Sequence, residues 1–132
     1  MLPDLPESLS ALVNLRKLNI ASNKIAALPA RLSRLAKLVD LDCHNNALGV
    51  LAADLAGLGR VTRADFRHNS LRTLPPLGGM AALRELYLGN NELVDMSKVL
   101  PPALHVLDIR DNHLAELPPV SRLGQLTSCR SP

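Results

Sequence analysis

Apolar residues return along this chain in short segments of fixed internal spacing, and in each segment an asparagine follows at the same distance. The segments are LRKLNIASNKI from Leu15, LVDLDCHNNAL from Leu38, VTRADFRHNSL from Val61, LRELYLGNNEL from Leu83 and LHVLDIRDNHL from Leu104, a period of 21 to 23 residues. All five fit L-x-x-L-x-L-x-x-N-x-L with some apolar substitutions, and Asn23, Asn46, Asn69, Asn91 and Asn112 hold the ninth position. Positions three to seven alternate polar and apolar, the period of two that marks a strand with one buried face. Positions four and six are therefore predicted to point inward, and three, five and seven outward. A strand that short cannot bury its face alone, so successive segments must stack.

The repeated motif resembles the leucine-rich repeat family, and the resemblance covers essentially the whole chain. Leu2, Leu5 and Pro6 match Ile25, Leu28 and Pro29 one period later, and Leu126 and Cys129 begin a sixth copy. The resemblance implies an α/β fold, a leucine-rich repeat solenoid. A curved parallel sheet would line its concave side, with short helices, 3₁₀ turns or extended arcs on the convex side. Residues 1–132 are read as one such domain, with about five complete repeats starting near residues 15, 38, 61, 83 and 104 and partial repeats at both ends. Leu28-Pro29, Leu74-Pro75 and Leu117-Pro118 place it with the variety carrying LP after the asparagine turn. That variety is typical of intracellular signalling scaffolds.

Stacked strands lie roughly 4.8 Å apart, so the five asparagines should form a buried ladder that serves backbone groups of neighbouring coils. On the convex side, PARLSRLAK and PESLSALVN space their leucines three apart without a breaker, which predicts a helical turn or two. PPLGGMAA, KVLPPA and PPVSRLGQ contain proline pairs or glycines and predict extended or 3₁₀ arcs. In the third repeat Ala64 and Phe66 replace the usual leucines, a small residue beside a large one that preserves volume within the core.

Composition narrows the function. Aromatic residues supply only 2% of the chain, so a stacking platform for nucleic-acid bases is missing. The surplus of 15 Lys and Arg over 12 Asp and Glu is too small and too scattered to change that, which argues against nucleic acid as the partner. No run of about 18 apolar residues predicts a membrane span. The start, MLPDLPESLS, lacks the basic and apolar regions of a secretion signal. With no Asn-X-Ser/Thr acceptor and two distant cysteines, a reducing setting is predicted, cytoplasmic or nuclear. Leu5, Leu9 and Leu12, and at the far end Leu123 and Leu126, have no capping element over them, which predicts a piece of a longer array or end-to-end self-association.

The outward columns are where a partner would sit. Column three reads Lys17, Asp40, Arg63, Glu85, Val106, with alternating signs that would neutralise one another across strands. Column five reads Asn19, Asp42, Asp65, Tyr87, Asp108, and column seven Ala21, His44, Arg67, Gly89, Arg110. Asp42, His44, Asp65, Arg67, Tyr87, Asp108 and Arg110 are the candidate contact residues for a protein or peptide partner, Tyr and Arg being frequent anchors at interfaces. Gly89 would leave a shallow socket between the arginines for an acidic group of the partner. A second basic cluster, Arg31, Arg34, Lys37 and Arg60, is expected toward the convex side, where a solvated face explains it.

Catalytic and metal chemistry find little support. Asp42, Cys43 and His44 are adjacent in sequence, but the strand pleat sends Cys43 to the core and the other two outward. There is no Cys-x-x-Cys pair, no His pair at ligand spacing and no phosphate-cradling glycine loop. The sequence thus predicts an interaction module or scaffold that is no enzyme and needs no metal or cofactor. The alternative is the recognition fragment of a larger signalling protein or enzyme, such as a kinase, GTPase or ubiquitin ligase.

Overall fold

The computed structural model describes residues 5–95, 100–114 and the backbone of 128–130. Six three-residue strands form one parallel sheet in chain order: β1 (Lys17–Asn19), β2 (Asp40–Asp42), β3 (Arg63–Asp65), β4 (Glu85–Tyr87), β5 (Val106–Asp108) and β6 (Ser128–Arg130). The register is unbroken. Lys17, Asp40, Arg63, Glu85, Val106 and Ser128 share one row, and Asn19, Asp42, Asp65, Tyr87, Asp108 and Arg130 another. The columns read from the sequence are therefore physical rows, and the backbone of β6 pairs Cys129 with Leu107.

Positions four and six face the core as the alternation requires. Leu41, Cys43, Ala64, Leu86, Leu88, Leu107 and Ile109 have no exposed surface, and Phe66 is 1% exposed. Each fully buried leucine contributes about 1.5 to 3 kcal/mol. Pairing continues past each strand into the turn, where the amide of Cys43 donates to Asp65 O at 2.8 Å and that of Asn45 to Arg67 O at 3.0 Å. Ser22, Asn45, His68, Asn90 and Asp111, the residues just before the ladder asparagines, all take the left-handed conformation with φ between 55° and 60°. Short polar side chains tolerate that region far better than β-branched ones, which explains what occupies position eight.

The asparagine ladder binds coil to coil. Asn69 Nδ2 donates to Cys43 O in the preceding coil at 3.1 Å and to Phe66 O and Arg67 O in its own, while Oδ1 accepts from Leu48 N at 3.0 Å. Asn46, Asn91 and Asn112 repeat the pattern toward Ile20 O, Phe66 O and Leu88 O. Asn23 donates to Ile20 O and Ala21 O of its own coil.

The helical turns of the convex side are 3₁₀ helices, at Glu7–Ala11 and Leu32–Arg34, with a third at Ala53–Gly57 that the sequence reading did not anticipate. Leucines three apart suit three residues per turn, so Leu32 with Leu35 and Leu55 with Leu58 are buried together. Asp54 ties the second helix to the third by accepting from Ser33 N at 2.9 Å and Ser33 Oγ at 2.7 Å. Those bonds hold its carboxyl below the usual range. After Pro75 and Pro76 the arc has only turns, as expected of PPLGGMAA, and Pro102-Ala103 turns likewise. The segment PPVSRLGQ and residues Leu2, Leu117, Pro118, Leu123 and Leu126 lie outside the described residues. No helix among the described residues is long and apolar enough to cross a membrane.

Candidate functional site

The outward rows bring the seven candidate residues onto one face, but at two depths. Asp65, the last residue of β3, has no exposed surface, and Asp108 at the end of β5 is 3% exposed. The expectation that these two acids meet a partner directly is therefore corrected. On a sheet curved toward this side the short aspartates of the middle row are roofed by the longer side chains of the rows beside them.

The roof over Asp65 is made of arginines. Arg67 donates through Nε to Oδ1 at 3.0 Å and through Nη2 to Oδ2 at 2.7 Å, and Arg63 Nη2 reaches Oδ2 at 3.3 Å. The backbone amide of Arg67 adds a bond to Oδ1 at 3.0 Å. Burial opposes ionisation of Asp65, yet the Arg67 bonds and the charges of Arg67 and Arg63 outweigh it, and the carboxyl lies below its ordinary range. The hydrogen bonds from Arg67 to Asp65 in turn hold its guanidinium charged more firmly.

Tyr87 is paired across the sheet with Asp65, and both guanidiniums lie over its ring, Arg63 at 5.2 Å and Arg67 at 5.1 Å from the centroid. Its hydroxyl donates to Glu85 Oε1 at 2.6 Å. That bond, followed by partial burial, raises the phenol above its ordinary value. Arg63 and Glu85 were read as a self-neutralising edge, and Arg63 does meet Asp40 at 3.4 Å. Their further part in the cluster was legible in principle, since residues two apart on a strand share a face and Arg63, Asp65 and Arg67 are so spaced.

Asp42 and His44 lie on the neighbouring strand. His44 Nδ1 is 2.5 Å from Asp42 Oδ1 and 3.9 Å from Asp65 Oδ2. One donor atom from each of Asp42, His44 and Asp65 falls within 4.8 Å of the others, a separation that a metal ion could span. The chemistry of the set argues otherwise. Both Asp65 oxygens already accept from Arg67, with Arg63 beside them, so a dication would face two guanidiniums and would have to displace their bonds. Cys43 adds nothing to this set: it is buried, and burial first, then the Asp42 and Asp65 charges, pushes its thiol well above the ordinary range.

The socket expected over Gly89 is partly filled. A β-carbon at Gly89 would lie 3.2 Å from Asp108 Oδ1 and 3.3 Å from Arg110 Cγ, so the Arg110 stem leans into the space the glycine leaves. Arg110 Nε is 3.4 Å from Asp108 Oδ2 in an ion pair, yet it is buried and makes no hydrogen bond. Arg31, Arg34, Lys37 and Arg60 are all exposed, and Lys37 Nζ donates to Asn14 Oδ1.

Residues 82–107 match the family model described as Leucine Rich Repeat. No curated protein sequence matches the chain closely enough to count as a relative. Among solved structures, the chain is similar over its full length to a leucine-rich repeat protein of Leptospira interrogans, with 25% identity, a TM-score of 0.87 and 35% of that chain covered. It is also similar to the Drosophila structure of the Toll–Spatzle complex, at 26% identity and a TM-score of 0.79, over 86% of this chain and 18% of that one. A third likeness is to the leucine-rich repeat ectodomain of the Arabidopsis thaliana membrane receptor kinase GASSHO1/SCHENGEN3 in complex with Casparian strip integrity factor 2. There the identity is 33%, the TM-score 0.77, and the coverage 93% of this chain and 16% of that one. The chain thus spans about a third or less of the length of these structures. Taken with the asparagine ladder and the six-stranded parallel sheet, these likenesses support the leucine-rich repeat family for this chain, whose fold is that of a leucine-rich repeat solenoid.

Proposed function

We propose that this chain is a protein–protein interaction module, a scaffold that takes up a protein or peptide partner on its concave sheet. The observation that carries the reading is the Arg63–Tyr87–Arg67 group, held over a buried aspartate at the centre of that face. Amphipathic, pre-positioned arginine and tyrosine side chains lose little freedom on binding and make good interface anchors. Asp42, His44, Arg67, Tyr87 and Arg110 are the contact residues in this reading, and Asp65 and Asp108 support them from below. Two of the similar solved structures are complexes with protein partners, which agrees with the class of function.

The stretches LDCHNNALGVLAADLAGL and VLDIRDNHLAELP look most like leucine-rich-repeat-containing protein 40. Together with the LP variety of repeat and the free, buried Cys43, this favours an intracellular, reducing setting, cytoplasmic or nuclear, and a part in signalling. Photo-crosslinking side chains placed at His44 or Arg67, and on the convex side at Arg34 or Thr73, test the concave reading in native extract. Protein adducts are expected from the first pair alone. Equal yields from both faces would overturn it.

A further inference from the structure

The concave face sorts its charges by depth. The side chains of Asp65 and Asp108 are 0% and 5% exposed, whereas those of Arg63, Arg67 and Arg110 are 31%, 31% and 40% exposed. Over β3 to β5 an approaching partner therefore meets guanidinium edges, with the matching carboxylates beneath them. Arg67 spends Nε and Nη2 on Asp65, and Arg110 Nε, though buried, has no hydrogen-bond partner among the described residues. Both residues border Gly89, the one position of their row that carries no side chain.

Arginine binds a carboxylate best as a planar, two-pronged donor, and best of all when its orientation is fixed beforehand. Arg67 meets both conditions, since Asp65 holds it from below and the Tyr87 ring lies against it. The neighbouring acids decide what kind of anion fits. Asp40 is 34% exposed, Asp42 17%, and Glu85 is half-buried, all on strands β2 and β4 of the same face. A continuous polyanion such as a nucleic acid would be repelled by them, while separated carboxylates on an extended peptide can fall between.

We propose that the partner, on the concave-face reading above, presents an extended segment bearing spaced acidic residues, one of whose carboxylates sits over β4 between Arg67 and Arg110. The Arg110 stem swings off Gly89 to complete the contact, gaining for Nε the hydrogen bond it lacks.

The probe is a fluorescein-labelled octapeptide alternating Glu and Ala, compared with its Gln–Ala and Lys–Ala counterparts and with an oligothymidylate. At about 50 mM salt, where surface electrostatics are weakly screened, the Glu–Ala peptide is expected to bind about tenfold or more tightly than Gln–Ala. Arg110→Gln should remove that preference, and so should Gly89→Glu, which puts a carboxylate where the ligand's would lie. The convex double variant R31Q/R34Q should keep it. Circular dichroism establishes that each variant is folded. Equal binding of the Glu–Ala and Gln–Ala peptides would overturn the proposal, as would loss of preference in R31Q/R34Q or its survival in both concave variants. Tighter oligothymidylate binding lost in Arg110→Gln would assign the site to nucleic acid instead. Because photo-crosslinking reads the concave face without assuming charge, protein adducts at Arg67 with no peptide preference would sink the acidic segment alone.

Discussion

Asp65 fixes Arg67 from beneath: Nη2 lies 2.7 Å from Oδ2 and Nε 3.0 Å from Oδ1, while no part of Asp65 reaches solvent. The outward arginine is thus placed by a residue that no partner touches. Replacing the carboxylate separates the two roles, contact and support.

Asp65→Asn keeps the shape but removes the charge and one acceptor, leaving Arg67 and Arg63 with an amide nitrogen at their tips. Removing one partner of a buried charged pair costs up to 3–5 kcal/mol, but Arg67 is 31% exposed and water will take up part of its donors. A loss of about 1–3 kcal/mol is expected, read as a lower urea midpoint. An unchanged midpoint would mean that the cluster contributes nothing net.

The same carboxyl sets a pH dependence. Burial opposes its charge, but the bonds from Arg67 and the nearby cations win, so its folded pKa lies below the unfolded value of about 3.9. A depressed pKa stabilises the fold fully above the unfolded value, and that contribution disappears as pH falls through the folded one. The stability difference between wild type and Asp65→Asn should therefore be flat from about pH 5 to 7 and shrink below about pH 4. A difference that grew on acidification would contradict the sign.

Which residues share a row was legible in the sequence, because a period of two fixes the face and the repeat length fixes the neighbour. Asp65 does lie between Asp42 and Tyr87, as the columns imply. Depth was not legible. Direction from the backbone does not say which side chain covers which, and here the long arginines at Arg63 and Arg67 fold inward over the short Asp65 between them. The socket at Gly89 is partly filled for the same reason, since a missing side chain leaves space that a flexible neighbour, Arg110, leans into. On the convex side the leucine spacing of three announced helical turns, and its equality with the 3₁₀ repeat explains why they are not α-helical.

The ladder asparagines join coils by bonding backbone groups of their own coil and of the preceding one. Asn69→Leu would leave Leu48 N without its acceptor and would take one donor from each of Cys43 O, Phe66 O and Arg67 O, which keep Asn46 Nδ2, Asn91 Nδ2 and Asn45 N respectively. A buried amide left unpaired costs roughly 1–3 kcal/mol, so the variant should lose about that much. Amide hydrogen exchange at Leu48 should quicken most. A variant as stable as wild type would show that apolar packing replaces the ladder.

Two glycines with ordinary backbone geometry separate space from flexibility. A β-carbon at Gly79 would lie 2.6 Å from the carbonyl oxygen of Ala56, whereas one at Gly49 would meet nothing within 4 Å. Gly79→Ala must push one convex arc off the next and should cost about 1–3 kcal/mol. Gly49→Ala should be neutral or gain up to about 1 kcal/mol by restricting the unfolded chain. Thermal unfolding of the two variants side by side decides it, and equal shifts would refute the close approach.

Cys43 is the one member of the Asp42, Cys43 and His44 run that faces the core. Its sulfur has no exposed surface, and burial first, with Asp42 and Asp65 adding to it, keeps the thiol protonated far above neutral pH. The thiolate is the species that attacks a disulfide reagent, so both access and ionisation oppose reaction. In a Cys129→Ser variant, an aromatic disulfide reagent at pH 8 should therefore label Cys43 only as the chain opens. The rate should rise with urea in step with the unfolded fraction and approach that of an ordinary thiol once the protein is unfolded. Rapid stoichiometric labelling without denaturant would place Cys43 at the surface, and with it would fall the inward assignment of position six on which the whole register rests.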